Sequence, residues 1–342
     1  MTRFLIVGIT GGFGGAVFAE LSSTVDDSSG SSDIQIRALV RSAEKAQARF
    51  GKLLDTTELI QGDVLDYECV DRAVKGCCWV VFAVNYPYSQ WHTSMPSALR
   101  NVVKACQRHQ VGIVFPGNVY SLKPVFNTPL SESHPAEPVT TKGQIRKDLE
   151  SILKDSNLRV LIIRANDYFG PTARNGILDR VFGNSLKGKR QQLFGTQLDN
   201  VKQMVYLPDL ARATIQLALR HYASHNPALF TCYHFGGYVE TRRKFSQIVK
   251  EETIKLLSDV KVSPRGPVTI PWPLLRLAGM LDPEARELVE MRYLHDRDFR
   301  LDDTLLRREL DGFELIPLRD AIVATLQSYS GGMPSSLPCK AI

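Results

Sequence analysis

Three glycines just after the first apolar segment have the spacing that most clearly predicts chemistry. They follow residues 4–7 at intervals of three and precede a helix-like segment, residues 14–23. Glycine lets the backbone turn sharply and approach a pyrophosphate closely. The start of the following helix then offers free N–H groups and a positive dipole end to phosphates. The pattern predicts a dinucleotide-binding turn. Its expected contact residues are Gly8, Thr10, Gly11, Gly12, Phe13 and Gly14.

Two polar residues, Arg41 and Ser42, follow the second predicted strand, residues 34–40. A site for NAD places a carboxylate about twenty residues past the glycines, where it bonds the ribose 2′-hydroxyl. No acid stands there, and Asp33 precedes the strand instead. Arg41 offers a guanidinium fork for a 2′-phosphate, Ser42 offers a hydroxyl donor, and Lys45 adds positive charge. The cofactor predicted from these residues is NADP(H).

A second motif, Gln-Gly-Asp-Val-Leu-Asp at residues 61–66, follows the third predicted strand. Together with the G-x-x-G-x-x-G spacing, it resembles the short-chain dehydrogenase/reductase superfamily in its extended and atypical branches. The resemblance implies that Asp63 and Val64 contact the adenine of the cofactor. The residues alone leave a plainer alternative, in which Asp63 caps a helix or forms a turn.

Two more segments resemble the extended branch of that superfamily. Residues 164–171 follow the sixth predicted strand, where the family lays backbone and side chains against the nicotinamide. The resemblance implies that Asp167 and Phe169 are contacts there. The fourth predicted strand ends at Val84 and Asn85, which resemble the family's loop that closes over the cofactor. These two residues are therefore also expected to bind the cofactor.

The usual catalytic signature of the superfamily, Tyr-x-x-x-Lys, is absent, because no tyrosine is followed by a lysine four residues later. In the matching segment, Lys142 stands at the tyrosine position and Arg146 at the lysine position. Residues 115–118 also have no serine at the usual catalytic position. The lysine, the arginine and the Phe-Pro pair at 115 and 116 resemble the atypical reductases related to isoflavone and phenylcoumaran reductases.

Lys142 and Tyr120 are the two candidate catalytic residues. The ammonium group of Lys142 is expected to bind the cofactor, and to stabilise an oxyanion near the nicotinamide or deliver a proton to it. The alternative is a surface lysine at the start of a basic helix. Tyr120 is a possible proton donor. Arg146 and Lys147 are expected to face solvent or a phosphate.

Four aromatic residues come just after strand ends, which is where ligands bind in an open α/β sheet. They are Tyr86, Tyr88, Trp91 and Tyr120. They predict the lining of a site for an aromatic or ring-shaped substrate, with simple packing as the alternative.

The histidines give a weaker signal. They lack a carboxylate partner at motif spacing and are expected to be structural or to line a pocket. Those considered are His92, His134 and His234. No His, Cys or Asp cluster has the spacing of metal ligands, so no metal is predicted.

Strand-like and helix-like segments alternate through the first half of the chain, which predicts βαβ units and a parallel sheet. The strands are continuous apolar runs, as expected when helices cover both faces. The fold class predicted is α/β, a doubly wound parallel Rossmann sheet with a smaller, discontinuous C-terminal substrate lobe. The predicted strands are residues 4–8, 34–40, 58–61, 78–84, 112–115 and 159–163.

The alternation loosens after about residue 170, and the chain is expected to return to the sheet before it ends in a mixed lobe. The predicted NADP-binding domain comprises residues 1–170 and 203–235. The predicted substrate lobe comprises residues 171–202 and 236–330. Residues 331–342 are predicted to be a tail.

The composition sets limits on the class of protein. The 342 residues are 44% hydrophobic and 23% charged, which excludes a disordered, collagenous or small disulfide-rich chain. The net charge of +6 favours an anionic ligand without being a signature of nucleic-acid binding. No apolar run is long enough to span a membrane.

The cysteines and the location follow from the same composition. The six scattered cysteines are expected to be reduced thiols in a cytoplasmic protein. The final residues from Cys339 fit a prenylation signal only loosely, because Lys340 is not aliphatic. Neither a nucleic-acid nor a membrane partner is expected, and the chain is expected to be a monomer or a homodimer.

Three functions remain open at this stage. The first is an NADPH-dependent reductase of the atypical short-chain family, which transfers hydride to a carbonyl or conjugated carbon of a small organic substrate. The second is an NAD(P)-dependent sugar-nucleotide epimerase or dehydratase, against which the missing Tyr-x-x-x-Lys counts. The third is a non-catalytic NADP(H)-binding sensor.

Overall fold

A computed structural model describes residues 2–26, 34–174, 176–224, 228–257 and 264–331. The strands in these ranges are β1 (Thr2–Val7), β2 (Ile34–Val40), β3 (Thr57–Gln61), β4 (Trp79–Phe82), β5 (Gly112–Asn118), β6 (Pro129–Leu130), β7 (Val160–Ala165), β8 (Asp167–Phe169), β9 (Arg190–Phe194), β10 (Val201–Tyr206), β11 (Phe230–Phe235), β12 (Tyr238–Thr241), β13 (Arg265–Ile270) and β14 (Arg300–Leu301). The helices are α1 (Gly12–Asp26), α2 (Ala43–Phe50), α3 (Tyr67–Val74), α4 (Trp91–His109), α5 (Thr141–Lys154), α6 (Asp179–Leu186), α7 (Leu207–Ala223), α8 (Arg242–Leu256), α9 (Trp272–Ala278), α10 (Pro283–Glu290), α11 (Arg292–Asp296), α12 (Thr304–Glu309) and α13 (Leu318–Gly331).

A seven-stranded parallel sheet forms the centre of the fold, in the order β11-β7-β5-β4-β1-β2-β3. Strand β1 lies between β2 and β4, with Val7 opposite Leu39 on one side and Phe82 on the other. The chain runs outward from β1 to β3 and then returns to β4 on the other side. The crevice between the carboxyl ends of β1 and β4 is therefore the ligand-binding position of this topology. The predicted doubly wound Rossmann fold is confirmed.

Helices cover both faces of the sheet because successive strand residues point to opposite sides. Ile6 packs in a cluster with residues of α1, α2 and α7, including Phe18. Its neighbour Leu5 packs in a second cluster with residues of α3, α4 and α5, including Leu99. The continuous apolar strands of the sequence are thus buried on both sides, as their composition predicts.

The second half of the chain builds smaller sheets. Strand β10 pairs with β8 and β12 in a separate three-stranded sheet, and β11 rejoins the main sheet at its edge beside β7. The apolar segment that begins near residue 203 therefore lies outside the main sheet. The expected return of the chain to the main sheet takes place at residues 230–235. The ranges of the two predicted domains stay predictions.

Three further expectations concern the cysteines, membrane-spanning helices and the C-terminal residues. Cys69, Cys77, Cys78, Cys106 and Cys232 are free thiols, and burial raises the pKa of Cys77 to about 11. Among the described residues, no helix is both long and apolar enough to cross a membrane. Residues 332–342, with Cys339 and nearly all of the predicted tail, lie outside the described residues.

Candidate functional site

The glycine turn lies between β1 and α1, beside the end of β4. Gly8 has φ +99°, and a Cβ there would lie 2.8 Å from the carbonyl oxygen of Ala83. A Cβ at Gly14 would collide with the carbonyl oxygen of Gly8, and Gly11 N–H donates to that oxygen at 3.0 Å. Glycine is required at these positions because the turn is packed against β4 without room for side chains.

Two side chains far apart in sequence brace this turn. Thr172 Oγ1 donates to the carbonyl oxygen of Gly12 at 2.8 Å. Arg49 donates to the carbonyl oxygens of Thr10 at 2.6 Å and Thr172 at 2.9 Å. These bonds use carbonyl oxygens, so the first N–H groups of α1 stay available for an anion. Arg49 was not predicted as a site residue, since no motif marks it.

The end of β2 keeps basic and hydroxyl groups accessible. Arg41 and Lys45 are exposed, and Ser42 is half-buried. Ser42 caps α2, where its Oγ accepts a hydrogen bond from Lys45 N–H at 3.2 Å. Its hydroxyl hydrogen remains free to donate to a ligand.

The ends of β2, β3 and β4 come together around Tyr86. Burial raises the pKa of Tyr86, Asp63 raises it further, and Arg41 lowers it, so both charges lie near this phenol. Asp63 is a turn residue whose Oδ1 accepts from Leu65 N–H at 2.9 Å, whereas Asp66 caps α3. The alternative of a helix cap for Asp63 is therefore wrong, and the turn leaves its second oxygen for a ligand.

Some of the predicted contact residues have buried side chains. Phe13 and Val64 lie in the two core clusters of the sheet. Phe169 is 1% exposed and packs against Phe182 and other rings of the smaller lobe. The Phe169 side chain was expected to lie against the nicotinamide. That expectation is wrong for the side chain, because the ring is enclosed by other aromatic residues. Contacts of all three through backbone atoms stay predictions.

The predicted loop after β4 does reach the glycine turn. Val84 is half-buried and Asn85 is exposed. A Cβ at Gly8 would lie 3.1 Å from the backbone nitrogen of Val84, so this loop contacts the turn directly.

The aromatic residues after β4 and β5 form one cluster. The rings of Tyr88 and Trp91 lie 4.9 Å apart, and those of Trp91 and Tyr120 lie 6.5 Å apart. The hydroxyl oxygens of Tyr88 and Tyr120 are 3.4 Å apart, and Trp91 Nε1 donates to the carbonyl oxygen of Tyr86 at 2.9 Å. Burial raises the pKa of Tyr120 well above its ordinary value, and the neighbouring Tyr88 raises it further. Tyr120 is therefore protonated near neutral pH.

Lys142, at the start of α5, is buried and fully engaged. Its Nζ donates to the carboxylates of Glu287 and Glu290, the latter at 2.6 Å, and to the carbonyl oxygen of Glu287 at 3.2 Å. It also lies 5.0 Å from the centre of the Tyr88 ring. These bonds use all three N–H groups of the ammonium. Neither a free catalytic amine nor a surface lysine is present in this conformation, because α10 covers the start of α5.

Glu290 is held by the same contacts. Burial alone would raise its pKa, but hydrogen bonds from Lys142 and from Thr141 N–H outweigh burial and hold the pKa below its usual value. The N–H of Thr141 donates to Glu290 Oε1 at 2.6 Å.

Arg146, one helical turn after Lys142, lies among aromatic rings. Its Cζ is 4.7 Å from the centre of the Trp91 ring and 5.6 Å from that of Phe115. Nη1 donates to the carbonyl oxygen of Pro116 at 3.3 Å, and burial lowers the pKa of the guanidinium. Arg146 is half-buried against these rings, and the prediction that it faces solvent or a phosphate stays a prediction.

Asp167 stands at the start of β8, directly after β7. It is half-buried and its carboxylate makes no hydrogen bond with the described part of the chain. Burial raises its pKa, while Lys202 and Arg242 act in the opposite direction. The adjacent Tyr168 donates its hydroxyl to the carbonyl oxygen of Gly117 at 3.3 Å, next to the end of β5.

The three histidines considered from the sequence lie in different surroundings. His234 is buried, with Nδ1 2.9 Å from the carbonyl oxygen of Leu130 and Nε2 3.3 Å from Arg164 Nη1. Burial, and then Arg164, lower its pKa to about 4, so it is a neutral structural histidine. His92 is exposed, and His134 is half-buried with its Nε2 2.9 Å from the carbonyl oxygen of Lys123. Among the described residues, no group of three or more His, Cys, Asp or Glu side chains is placed to hold a metal ion.

One family model matches the part of the chain that carries this geometry. Residues 8–176 match a family described as NAD(P)H-binding, which spans the glycine turn, the aromatic cluster and α5. No curated protein matches the chain in sequence.

Solved structures share the fold over nearly the whole chain. The Bordetella bronchiseptica enzyme WbmH, in complex with NAD+, has a TM-score of 0.71 at 19% identity and covers 97% of this chain and 99% of its own. A dTDP-glucose 4,6-dehydratase from Bacillus anthracis, in complex with NAD, has a TM-score of 0.71 at 16% identity, with 96% and 97% covered. A UDP-glucose 4-epimerase from Thermotoga maritima, with UDP-glucose, has 0.71 at 15%, with 96% and 99% covered. At these identities the likeness establishes the fold.

Proposed function

We propose that this chain is an NADP(H)-dependent reductase of the short-chain dehydrogenase/reductase type, because residues 8–176 match an NAD(P)H-binding family and the fold is shared with NAD-bound enzymes. Bound NADPH would supply a hydride to a carbonyl or conjugated carbon of a small organic substrate. The chain itself binds and orients both molecules. A cytoplasmic location and a monomeric or homodimeric state belong to the proposal and rest on composition.

The observation that carries the proposal is the glycine turn. Side chains at Gly8 and Gly14 would fill the space beside β4, and the carbonyl oxygens of Thr10 and Gly12 are taken by Arg49 and Thr172. What remains toward the crevice is a set of helix N–H groups at the positive end of α1, which suits a pyrophosphate.

The choice of NADP(H) over NAD(H) rests on the end of β2. Arg41 and Lys45 are exposed there, and Ser42 has a free hydroxyl hydrogen. A 2′-phosphate would accept from all three. The two residues directly after β2, Arg41 and Ser42, include no carboxylate to bond a ribose 2′-hydroxyl, and the first acid beyond them is Glu44 in the first turn of α2. Asp63 and Tyr86 then face the neighbouring adenine position.

Tyr120 is the residue best suited to assist the reaction. Its phenol is protonated and stands at the end of β5 beside Tyr88, so it can donate a hydrogen bond to an oxygen on which charge develops. Lys142 joins the reaction only if Glu287 and Glu290 release it. In the conformation described, Lys142 positions α5 against α10.

A non-catalytic NADP(H)-binding protein is the second candidate. The specific observation in its favour is the saturated ammonium of Lys142 at the position where the superfamily places its catalytic tyrosine. A sugar-nucleotide epimerase or dehydratase has weaker support. The fold neighbours include such enzymes, but this chain has no Tyr-x-x-x-Lys to act as their base.

The cofactor assignment is tested by titrating the full chain with NADPH and NADH and following nucleotide fluorescence. We expect the wild type to prefer NADPH and Arg41→Ala to weaken NADPH binding about tenfold, as for loss of a charge-assisted hydrogen bond, with little change for NADH. Arg100→Ala, at an exposed arginine of α4, is the control. Equal affinity of the wild type for both nucleotides would refute the NADP(H) assignment.

The reaction is tested by following NADPH oxidation against panels of carbonyl compounds, enones and sugar nucleotides. We expect turnover with a carbonyl or conjugated substrate, and a loss of at least tenfold in kcat for Tyr120→Phe with unchanged NADPH affinity. Tight NADPH binding without turnover on any panel would overturn the reductase in favour of the non-catalytic candidate.

A further inference from the structure

The guanidinium of Arg146 has a fixed plane but few hydrogen-bond partners. Trp91 and Phe115 contact it through their rings, and such contacts engage the face of a guanidinium rather than its edge. Of its five N–H donors, one on Nη1 reaches the carbonyl oxygen of Pro116. Nε is buried and has no acceptor.

No carboxylate in the described part of the chain forms an ion pair with Arg146. Glu150, one turn after Arg146 on the same helix, acts on the pKa of Arg146 but is itself bound to Arg164 at 2.5 Å. Burial of an unpaired charge costs considerable free energy, and a buried donor without an acceptor adds to that cost. Such an arrangement is expected where a ligand supplies the missing negative charge.

The hydroxyl groups around Arg146 suit the same ligand. Tyr88, Tyr120 and Tyr168 are close enough to act on its pKa. Tyr88 and Tyr120 share one hydroxyl contact, so together they retain a donor for a third oxygen. The other cation of this region, Lys142, is already neutralised by Glu287 and Glu290. The unneutralised positive charge of the site therefore lies on Arg146.

We propose that Arg146 is an anion receptor that binds a carboxylate group of the substrate, with the aromatic cluster of Tyr88, Trp91 and Tyr120 packing against the body of that molecule. This inference rests on the proposed function and names its substrate class, a small carbonyl or conjugated compound that carries a carboxylate. A carboxylate is favoured over a phosphate monoester because it is planar, singly charged and matched to one guanidinium fork.

The test compares benzoate with benzamide, which share a ring and differ in charge. The full chain, saturated with NADP+, is titrated with each by calorimetry. Tryptophan emission is recorded in parallel because Trp91 lies on the guanidinium. We expect benzoate to bind at least ten times more tightly than benzamide. We expect Arg146→Gln to reduce that ratio below three while NADP+ affinity changes less than threefold.

Arg159→Gln is the matched control, since Arg159 also lies near aromatic rings, at 5.9 Å from Trp79 and 5.8 Å from Tyr222. It should leave the preference for benzoate intact. Arg146→Lys keeps the charge without the fork and should lose most of the preference, which provides a second variant if Arg146→Gln does not fold.

Three results would overturn the proposal. These are equal affinities of the wild type for benzoate and benzamide, a preference for benzoate that survives both Arg146 variants, and a loss of more than tenfold in NADP+ affinity with the benzoate preference unchanged. The last result would make Arg146 a cofactor ligand. Failure of the reductase proposal is separable, because this binding measurement needs no turnover and is repeated on the free protein if NADP+ does not bind.

Discussion

Nζ of Lys142 lies 2.6 Å from Oε2 of Glu290, which joins the first turn of α5 to a helix 148 residues later in the chain. Glu287, one turn earlier on α10, binds the same ammonium. The start of α5 is thereby fastened to α10. If α10 moved away, α5 would lose this support and the ammonium group of Lys142 would no longer be paired with the two carboxylates.

Replacement of Lys142 by methionine should destabilise the protein without removing its cofactor site. The change leaves two partly buried carboxylates next to each other without a cation, and we expect a loss of about 2 kcal/mol in the free energy of unfolding. Urea unfolding measures the loss, and NADPH titration should show an affinity within threefold of wild type. Lys244→Met, which breaks the exposed pair with Glu240, is the control and should cost less than about 0.5 kcal/mol. A Lys142 variant as stable as this control would contradict the described pairing.

Replacement of Gly8 by alanine should abolish dinucleotide binding. The new Cβ would meet the carbonyl oxygen of Ala83 at 2.8 Å in a backbone conformation, φ +99°, that L residues rarely adopt. We expect the affinity for NADPH to fall more than tenfold and thermal unfolding to begin at a lower temperature. Gly266→Ala, in β13, places its Cβ in open space and should change neither measurement. Normal NADPH binding by Gly8→Ala would place the dinucleotide elsewhere.

Stability should depend on pH through His234. Its folded-state pKa of about 4 lies below the ordinary value of about 6.5, because burial and Arg164 disfavour the charged ring. A group with a lowered folded pKa contributes its full stabilisation above the unfolded pKa, and loses it as pH falls toward the folded pKa. We therefore expect about 2 kcal/mol of stability to disappear between pH 7.5 and pH 5.0.

Urea unfolding at those two pH values tests the role of His234. His234→Gln should show a weaker dependence on pH over this interval, because glutamine does not titrate. His92→Gln, at an exposed position, should retain the dependence of the wild type. Identical pH profiles for wild type and His234→Gln would show that another group is responsible.

The cofactor half of the site was predictable because its signals are local. The turn approaches β4 without room for a Cβ, so glycine is required at Gly8 and Gly14. These two glycines belong to one short motif that is recognisable in the sequence. The order of strands and helices can be predicted in the same way, because strands buried on both faces of a parallel sheet require continuous apolar runs. Arg41 and Asp63 stand at the ends of such runs, and their roles toward a cofactor stay predictions.

The sequence by itself determined the Rossmann core and the dinucleotide turn, because backbone conformation and strand burial depend on residues that are neighbours in the chain. Only the tertiary structure decided the states of Lys142 and Arg146. The partners of Lys142 come from α10, and Arg146 lies against rings from α4 and β5. Charge pairing and desolvation depend on which distant segments pack together. Lys142 is neutralised by carboxylates, whereas Arg146, on the same helix, is half-buried against aromatic rings and forms no ion pair with the described part of the chain.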